Sequence, residues 1–185
     1  MGDMNFSSGI DDISLAALKK ACRATQERVY RGYAQAAWTL AVRICGCEAR
    51  AWDAVQSGFV RAFERVGQLR QAERFGPWLK RIIVNQVMDQ MRERFEPIEA
   101  AGAEEAATDA APGQTMDLER ALAKLSDADR SVLWLHDAEG FTHGEIAELA
   151  GQSLSWSKSR LSRARARIRP MLEAETDSAV KVTSP

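Results

Sequence analysis

The stretch from Glu96 to Glu119, EPIEAAGAEEAATDAAPGQTMDLE, constrains this chain more than any other. It holds seven acidic residues, no basic residue, two prolines and few large apolar side chains. A segment so composed cannot bury enough apolar surface to offset the entropy of ordering it. It is expected to be a flexible acidic linker, and it therefore forbids one continuous core. The 185 residues are left to fold as two small domains, one of roughly 95 residues and one of roughly 55.

Both flanks carry helical periodicity. Apolar side chains recur three and four apart at Val29, Tyr33, Ala36, Ala37, Leu40 and Ile44, then at Val55, Phe59, Ala62, Phe63 and Val66. The pattern repeats at Phe75, Trp78, Leu79, Ile82, Ile83, Val87 and Met91, with no alternating strand pattern to compete. Gly46, Gly67-Gln68 and Pro97 are the expected breaks, and Pro77 suits the first turn of the third long helix. Beyond the linker, Leu118, Leu122 and Leu125 mark a helix, and Ser126 reads as the cap of a second carrying Val132, Leu133 and Leu135. The fold class is therefore all-α.

The sharpest local signal runs from Thr142 to Arg167, THGEIAELAGQSLSWSKSRLSRARAR. Thr142 followed three residues later by Glu145 is a capping box. Small Ala147 and then Gly151 suit a helix-turn-helix, in which glycine takes the left-handed turn. Ser153 or Ser155 can cap the second helix, with Leu154 and Leu161 on its inward face and the cations from Lys158 to Arg169 spread over the outside. Gln152–Met171 contains six basic residues and no acidic one, a setting suited to the major groove. Ser157, beside the bulky Trp156, is the anomaly: a helix of this kind usually buries a β-branched apolar group there, and a polar one needs a hydrogen-bond partner.

The net charge of −1 conceals this distribution. Residues 1–95 carry +5, 96–119 carry −7, 120–171 carry +3 and the tail carries −2. Two basic regions thus flank an acidic tether, which favours a nucleic-acid partner on each side of it. The three cysteines, Cys22, Cys45 and Cys47, are odd in number, Cys45-Gly-Cys47 is too tight for the usual C-x-x-C redox or zinc pair, and reduced thiols are expected. No long apolar run suggests a membrane span, and the first residues lack the pattern of a secretory signal, so a cytoplasmic protein without membrane attachment is expected. Walker, dinucleotide-glycine and HExxH motifs are absent, and His136 and His143 read as isolated surface residues, so neither enzymatic activity nor a cofactor or metal is expected.

Three blocks together resemble the extracytoplasmic-function (ECF) sigma factors of bacterial RNA polymerase. The first is Asp53-Ala-Val-Gln56-Ser-Gly-Phe59-Val-Arg61-Ala-Phe63. The second runs from Phe75 and Trp78-Leu79-Lys80-Arg81-Ile82 to Asn85 and Asp89. The third joins Leu125-Ser-x-x-x-Arg130, Gly140-Phe-Thr with Glu145-Ile146-Ala147, and Lys158-Ser159-Arg160-Leu161-x-Arg163. The resemblance implies a four-helix region 2 domain over residues 15–95, a linker over 96–116 and a region 4 helix-turn-helix over 117–171.

It also implies roles. Glu48, Asp53, Gln56 and Phe59 would dock on the clamp helices of the polymerase's largest subunit. Arg70, Arg74, Trp78, Lys80, Arg81 and Asn85 would meet the opened −10 element, where cations neutralise phosphate and an aromatic or amide group engages an unpaired base. Ser155, Lys158, Ser159, Arg160 and Arg163 would meet the −35 duplex. One departure stands out: Arg50, Trp52 and Ser57 lie near positions where the family commonly carries acid, which should weaken charge-steered docking. Two routes of control stay open. Phosphorylation of Ser57 by a Ser/Thr kinase would add about −1.5 to −2 charges; alternatively, an anti-sigma protein would act on the chain. A stand-alone helix-turn-helix regulator and a polymerase-binding adaptor are the competing functions.

Overall fold

The computed structural model describes Phe6, residues 9–95 and residues 117–182; the linker expected at 96–116 lies outside the described residues, as does Pro97. All regular structure among the described residues is helical. The chain divides into two compact units. One comprises the described residues up to Val42 with Glu48–Gln90, the other Arg43–Cys47 with the described residues from Met91 on.

The first unit is built on α1 (Asp12–Lys19), α2 (Arg23–Cys45), α3 (Glu48–Arg65) and α4 (Phe75–Met91). Helix α1 begins ahead of the expected domain start at residue 15. Asp11 caps it, its carboxylate accepting from the Ser14 amide at 2.6 Å and the Ser14 hydroxyl at 2.9 Å. Those two bonds hold the Asp11 carboxyl below the ordinary aspartate range. Gly46 ends the α2 turn with a φ of 64°, a conformation that a side chain bearing Cβ would resist. Two 3₁₀ turns, Val66–Gln68 and Ala72–Arg74, replace the break expected at Gly67-Gln68 and carry the chain to α4.

The core of this unit follows the periodicity. Val29, Tyr33, Ala37 and Leu40 of α2, Val55, Phe59 and Ala62 of α3, and Phe75, Leu79, Ile83, Val87 and Met88 of α4 are all buried. Aromatic contacts knit the layers: Tyr30 meets Phe59 edge-on at 4.8 Å, and Tyr33 lies 5.4 Å from Phe75. Burying a ring such as that of Phe59 or Phe75 contributes about 1.5–3 kcal/mol.

The second unit contains α5 (Asp117–Ala123), α6 (Asp127–Leu133), α7 (His143–Ala150) and α8 (Leu154–Val182). Ser126 caps α6 by accepting from the Asp129 amide. Arg130 is almost wholly buried and points back at the end of α5, donating to the carbonyls of Leu122 at 2.9 Å, Ala123 at 3.3 Å and Leu125 at 3.2 Å. A helix end leaves such carbonyls without partners, and a guanidinium can satisfy several at once. The spacing Leu125-Ser-x-x-x-Arg130 is thus a capping device. After Leu133 the helix widens into a π turn, Trp134–Ala138, in which the Glu139 amide donates to the Trp134 carbonyl five residues back.

Candidate nucleic-acid interface

The helix-turn-helix is built as its sequence dictates. Thr142 caps α7 and both arms of the capping box with Glu145 are present. Gly151 turns the chain at φ 65° and ψ 31°, the left-handed region in which an alanine would cost about 1 kcal/mol. Of the two candidate caps for α8, Ser153 takes the role, its hydroxyl accepting from the Trp156 amide at 3.1 Å.

Helix α8 then sorts its side chains into two faces. Trp156, Ser157, Arg160, Leu161, Ala164 and Ile168 point inward and are buried. Ser155, Lys158 and Ser159 are exposed and Arg163 is half-exposed, so four of the five side chains expected at the −35 duplex lie on one accessible face. Two expectations need correction. Leu154, expected inward, is 49% exposed because it occupies the first position after the cap, before the helix face turns toward the core. Arg160, expected outward, is only 6% exposed: it falls on the inner face three and four residues from Trp156 and Ser157. Its guanidinium pairs with the buried Asp129 at 3.5 Å and lies 5.7 Å from the Trp156 ring. This places Arg160 in the packing of α6 against α8, away from the exposed face of α8.

The anomaly at Trp156-Ser157 is resolved by two contacts. Trp156 is buried against Phe95, ring centroids 5.5 Å apart. That contact accounts for Met91–Phe95 packing within the second unit, although 95 was the expected end of the first domain. Ser157 is fully buried and its hydroxyl lies 3.0 Å from Nδ1 of His143. The two histidines are not isolated as expected. The π turn brings His136 to His143 with ring centroids 4.6 Å apart. His136 Nδ1 lies 2.8 Å from Asp137, which in turn accepts two bonds from Arg165 of α8 at 2.6 and 3.0 Å. Arg165 holds the Asp137 carboxyl below its ordinary range, and Asp137 raises the Arg165 guanidinium. The His143 imidazole is held below its ordinary value, first by desolvation and then by the charges of His136, Lys158 and Arg165. No sequence periodicity signals this cluster, since the residues come from three elements.

In the first unit the residues expected at the −10 element lie on α4 and the 3₁₀ segment before it. Arg70, Arg74 and Arg81 are exposed; Lys80 and Asn85 are half-buried. Trp78 is also half-buried, with its ring 5.8 Å from that of the fully buried Phe75. A ring that contacts the core yet stays partly accessible is suited to stacking.

On α3, Glu48, Asp53, Gln56 and Ser57 are all exposed. Phe59 is not: at 3% exposed it belongs to the core, so its side chain supports this helix from within. The outer face also shows Trp52, 39% exposed and 6.0 Å from the Trp38 ring, and Val60, 58% exposed. Trp52 stands here near a position where acid was expected, whereas Val60 was not expected at this surface; their spacing of eight residues along a helix places both with Gln56 in one row.

Among the described residues no group of His, Cys, Asp and Glu could hold a metal ion, and no helix is long and apolar enough to cross a membrane.

Comparison with known proteins adds a family. The model for sigma-70 region 2 matches residues 29–95, and that for sigma-70 region 4 matches residues 115–168. The "ECF RNA polymerase sigma factor EcfG" of Rhodopseudomonas palustris is 32% identical over 138 residues, covering 71% of this chain and 76% of that protein. The "ECF RNA polymerase sigma factor SigE" of Mycolicibacterium smegmatis is 30% identical over 184 residues, covering 92% and 67%. The "Probable RNA polymerase sigma factor RfaY" of Xanthomonas campestris pv. campestris is 29% identical over 177 residues; the match covers 89% of this chain but 44% of that longer protein.

Proposed function

The chain belongs to the ECF-type RNA polymerase sigma factors, and from that premise we propose that it binds core polymerase and directs initiation at promoters. In this reading residues 15–95 hold the polymerase and the −10 element, 96–116 tether, and 117–171 read the −35 element. The chain performs no catalysis of its own, needs no cofactor and works in the cytoplasm. The observation that carries the reading is the exposed face of α8, where Ser155, Lys158, Ser159 and Arg163 follow a capped turn in the geometry of a major-groove helix. Lys158 and Arg163 can bond guanine edges or phosphate, and the serines either base edge. On the −10 side, Arg70, Arg74, Lys80 and Arg81 supply charge for phosphates, while Trp78 and Asn85 suit an unpaired base.

Docking on the clamp helices would use Glu48, Asp53 and Gln56 on the outer face of α3. The thin negative charge there supports control by phosphorylation at Ser57, which is exposed one turn from Asp53. Ser57→Glu should bind core polymerase more tightly than Ser57→Ala; equal affinities remove this site from the mechanism and favour an anti-sigma partner as the control.

The test of the whole reading is transcription by core polymerase on genomic templates with the transcript 5′ ends mapped. A sigma factor confers defined start sites. A stand-alone regulator binds duplex DNA without starting transcription, and an adaptor binds core polymerase and does neither.

A further inference from the structure

Two of the residues expected at the −10 element stand on a weak scaffold. Arg70 and Arg74 lie on the stretch of 3₁₀ turns between α3 and α4, and such turns are short and poorly bonded. Neither Arg65 nor Gln71, the residues ahead of the two turns, caps its turn with a side chain. Val66, Leu69 and Ala72 are buried at intervals of three, while Arg70, Gln71, Glu73 and Arg74 are exposed.

A second segment, from before α2, lies against this stretch. The Ile10 amide donates to the Ala72 carbonyl at 3.1 Å, and that carbonyl also accepts from the Phe75 amide at the start of α4. Gly9 comes closer still. A Cβ at Gly9 would stand 2.3 Å from the Glu73 Cα and 2.9 Å from the Ala72 carbonyl oxygen. Both are backbone atoms, which cannot swing aside as a side-chain tip can, so the approach needs glycine. The point of contact, Ala72-Glu73, falls midway between Arg70 and Arg74. Phe6 anchors the same segment: it is buried, with its ring 6.2 Å from that of Tyr33. Helix α1 packs against both 3₁₀ turns, and Arg28 of α2 ties it down by donating to the Ser14 hydroxyl at 2.6 Å. Phe6, Gly9, Ile10 and α1 all precede residue 29, where the sigma-70 region 2 match begins.

We propose that Phe6, Gly9, Ile10 and α1 form a brace that sets the position of Arg70 and Arg74, and that Gly9 is a positioning residue for base discrimination at the −10 element. This rests on the reading of that stretch as a −10 contact. An alanine at position 9 forces the Ala72-Glu73 backbone and the brace apart. Charge attraction to phosphate declines slowly with distance, whereas hydrogen bonds to base edges fail within a few tenths of an ångström. A displaced stretch therefore keeps its hold on the strand and loses its choice of base.

The experiment uses the full chain with core polymerase on a promoter from which the wild-type chain starts transcription. The region just upstream of the start is held open by mismatches, and the non-template strand carries either its native bases or one substitution at a time. Gly9→Ala should reduce discrimination between native and substituted templates by about fivefold or more, the lower end for one base contact. Its affinities for core polymerase and for the −35 duplex should stay within about twofold of wild type, since those surfaces lie elsewhere. Hydrogen exchange at the amides of Arg70–Arg74 should quicken while that of α3 does not. Phe6→Leu loosens the far end of the brace and adds no atom near Glu73, and it should shift discrimination in the same direction. Leu40→Val, two turns along α2 from Tyr33, weakens the core without touching the brace and should leave discrimination intact. The proposal is overturned if folded Gly9→Ala keeps wild-type discrimination, if Leu40→Val loses as much, or if the Arg70–Arg74 amides exchange no faster. Should Gly9→Ala fail to fold, Phe6→Leu carries the same test. A wild-type chain that does not discriminate among the opened bases defeats the −10 assignment instead, and exchange at Arg70–Arg74 then decides whether the brace holds the stretch.

Discussion

Replacing Asp129 by alanine would remove the buried carboxylate paired with the Arg160 guanidinium inside the second unit. The side chains of the pair are 1% and 8% exposed, and their N···O separation is 3.5 Å. Neither partner has water to turn to when the other is removed. Breaking a buried pair in this way costs about 3–5 kcal/mol, a large share of the roughly 5–15 kcal/mol that holds a typical domain together. Removing both charges is a different perturbation. Asp129→Ala combined with Arg160→Met removes both charges of the pair, and the methionine can still pack on the Trp156 ring, so the double variant should fall within about 1–2 kcal/mol of wild type. Urea denaturation of the four members of the cycle yields the coupling directly. The same proteins test the correction to the role of Arg160. If the guanidinium is structural, Arg160→Met should leave the salt dependence of duplex binding unchanged, whereas Arg163→Met should reduce the slope by about one counterion. An Asp129→Ala cost below about 1 kcal/mol, or an Arg160→Met slope reduced as much as that of Arg163→Met, would refute the reasoning.

Two smaller effects should be measurable. Thr142→Ala removes the hydroxyl that accepts from the Glu145 amide and should lower stability by about 0.5–2 kcal/mol in thermal unfolding, with Thr142→Ser recovering most of it. Asp137, held below its ordinary range by the bonds from Arg165, contributes stability that is complete above the unfolded aspartate value and is lost as pH falls through the lower folded one. Asp137→Asn should therefore flatten the acid limb of a stability-against-pH profile; a steeper acid limb would contradict that sign.

What could be read in the sequence was local. Thr142 and Glu145 are three residues apart, and Gly151 takes its turn without help from elsewhere, so the capped helix and its exit were legible as spacing. The apolar rows of α2, α3 and α4 were legible for the same reason, since a period of 3.6 residues declares a buried face. Phe59 shows the limit of a motif: its place in the Asp53-to-Phe63 block suggested a contact, yet the same periodicity that identified α3 puts it in the core. Arg160 was misplaced because charge alone suggested solvent, while its partner Asp129 lies 31 positions earlier and belongs to another helix. The histidine pair was hidden by geometry of a different kind. A helical wheel advanced through Leu133 at α-helical pitch misplaces everything after the π turn. Trp52 was legible as a missing acid on α3, but its partnership with Val60 in an exposed apolar row of the outer face was not, because an exposed apolar side chain breaks the rule that periodicity relies on.

The π turn has one further consequence. A turn closed by bonds from residue i to i+5 stores one residue more than an α-helical path requires. Losing any residue of Trp134–Ala138 would leave a continuous α-helix with its hydrogen-bond ladder intact, while rotating everything beyond by about 100°. Chain length at this point acts as a gauge of aim: with Trp134, Leu135 or His136 removed, Asp137 would swing away from Arg165 even though both residues survive unchanged. Point substitutions here should be graded in effect, whereas a single-codon deletion should behave as a change of register, preserving helicity while dismantling the hold on α8.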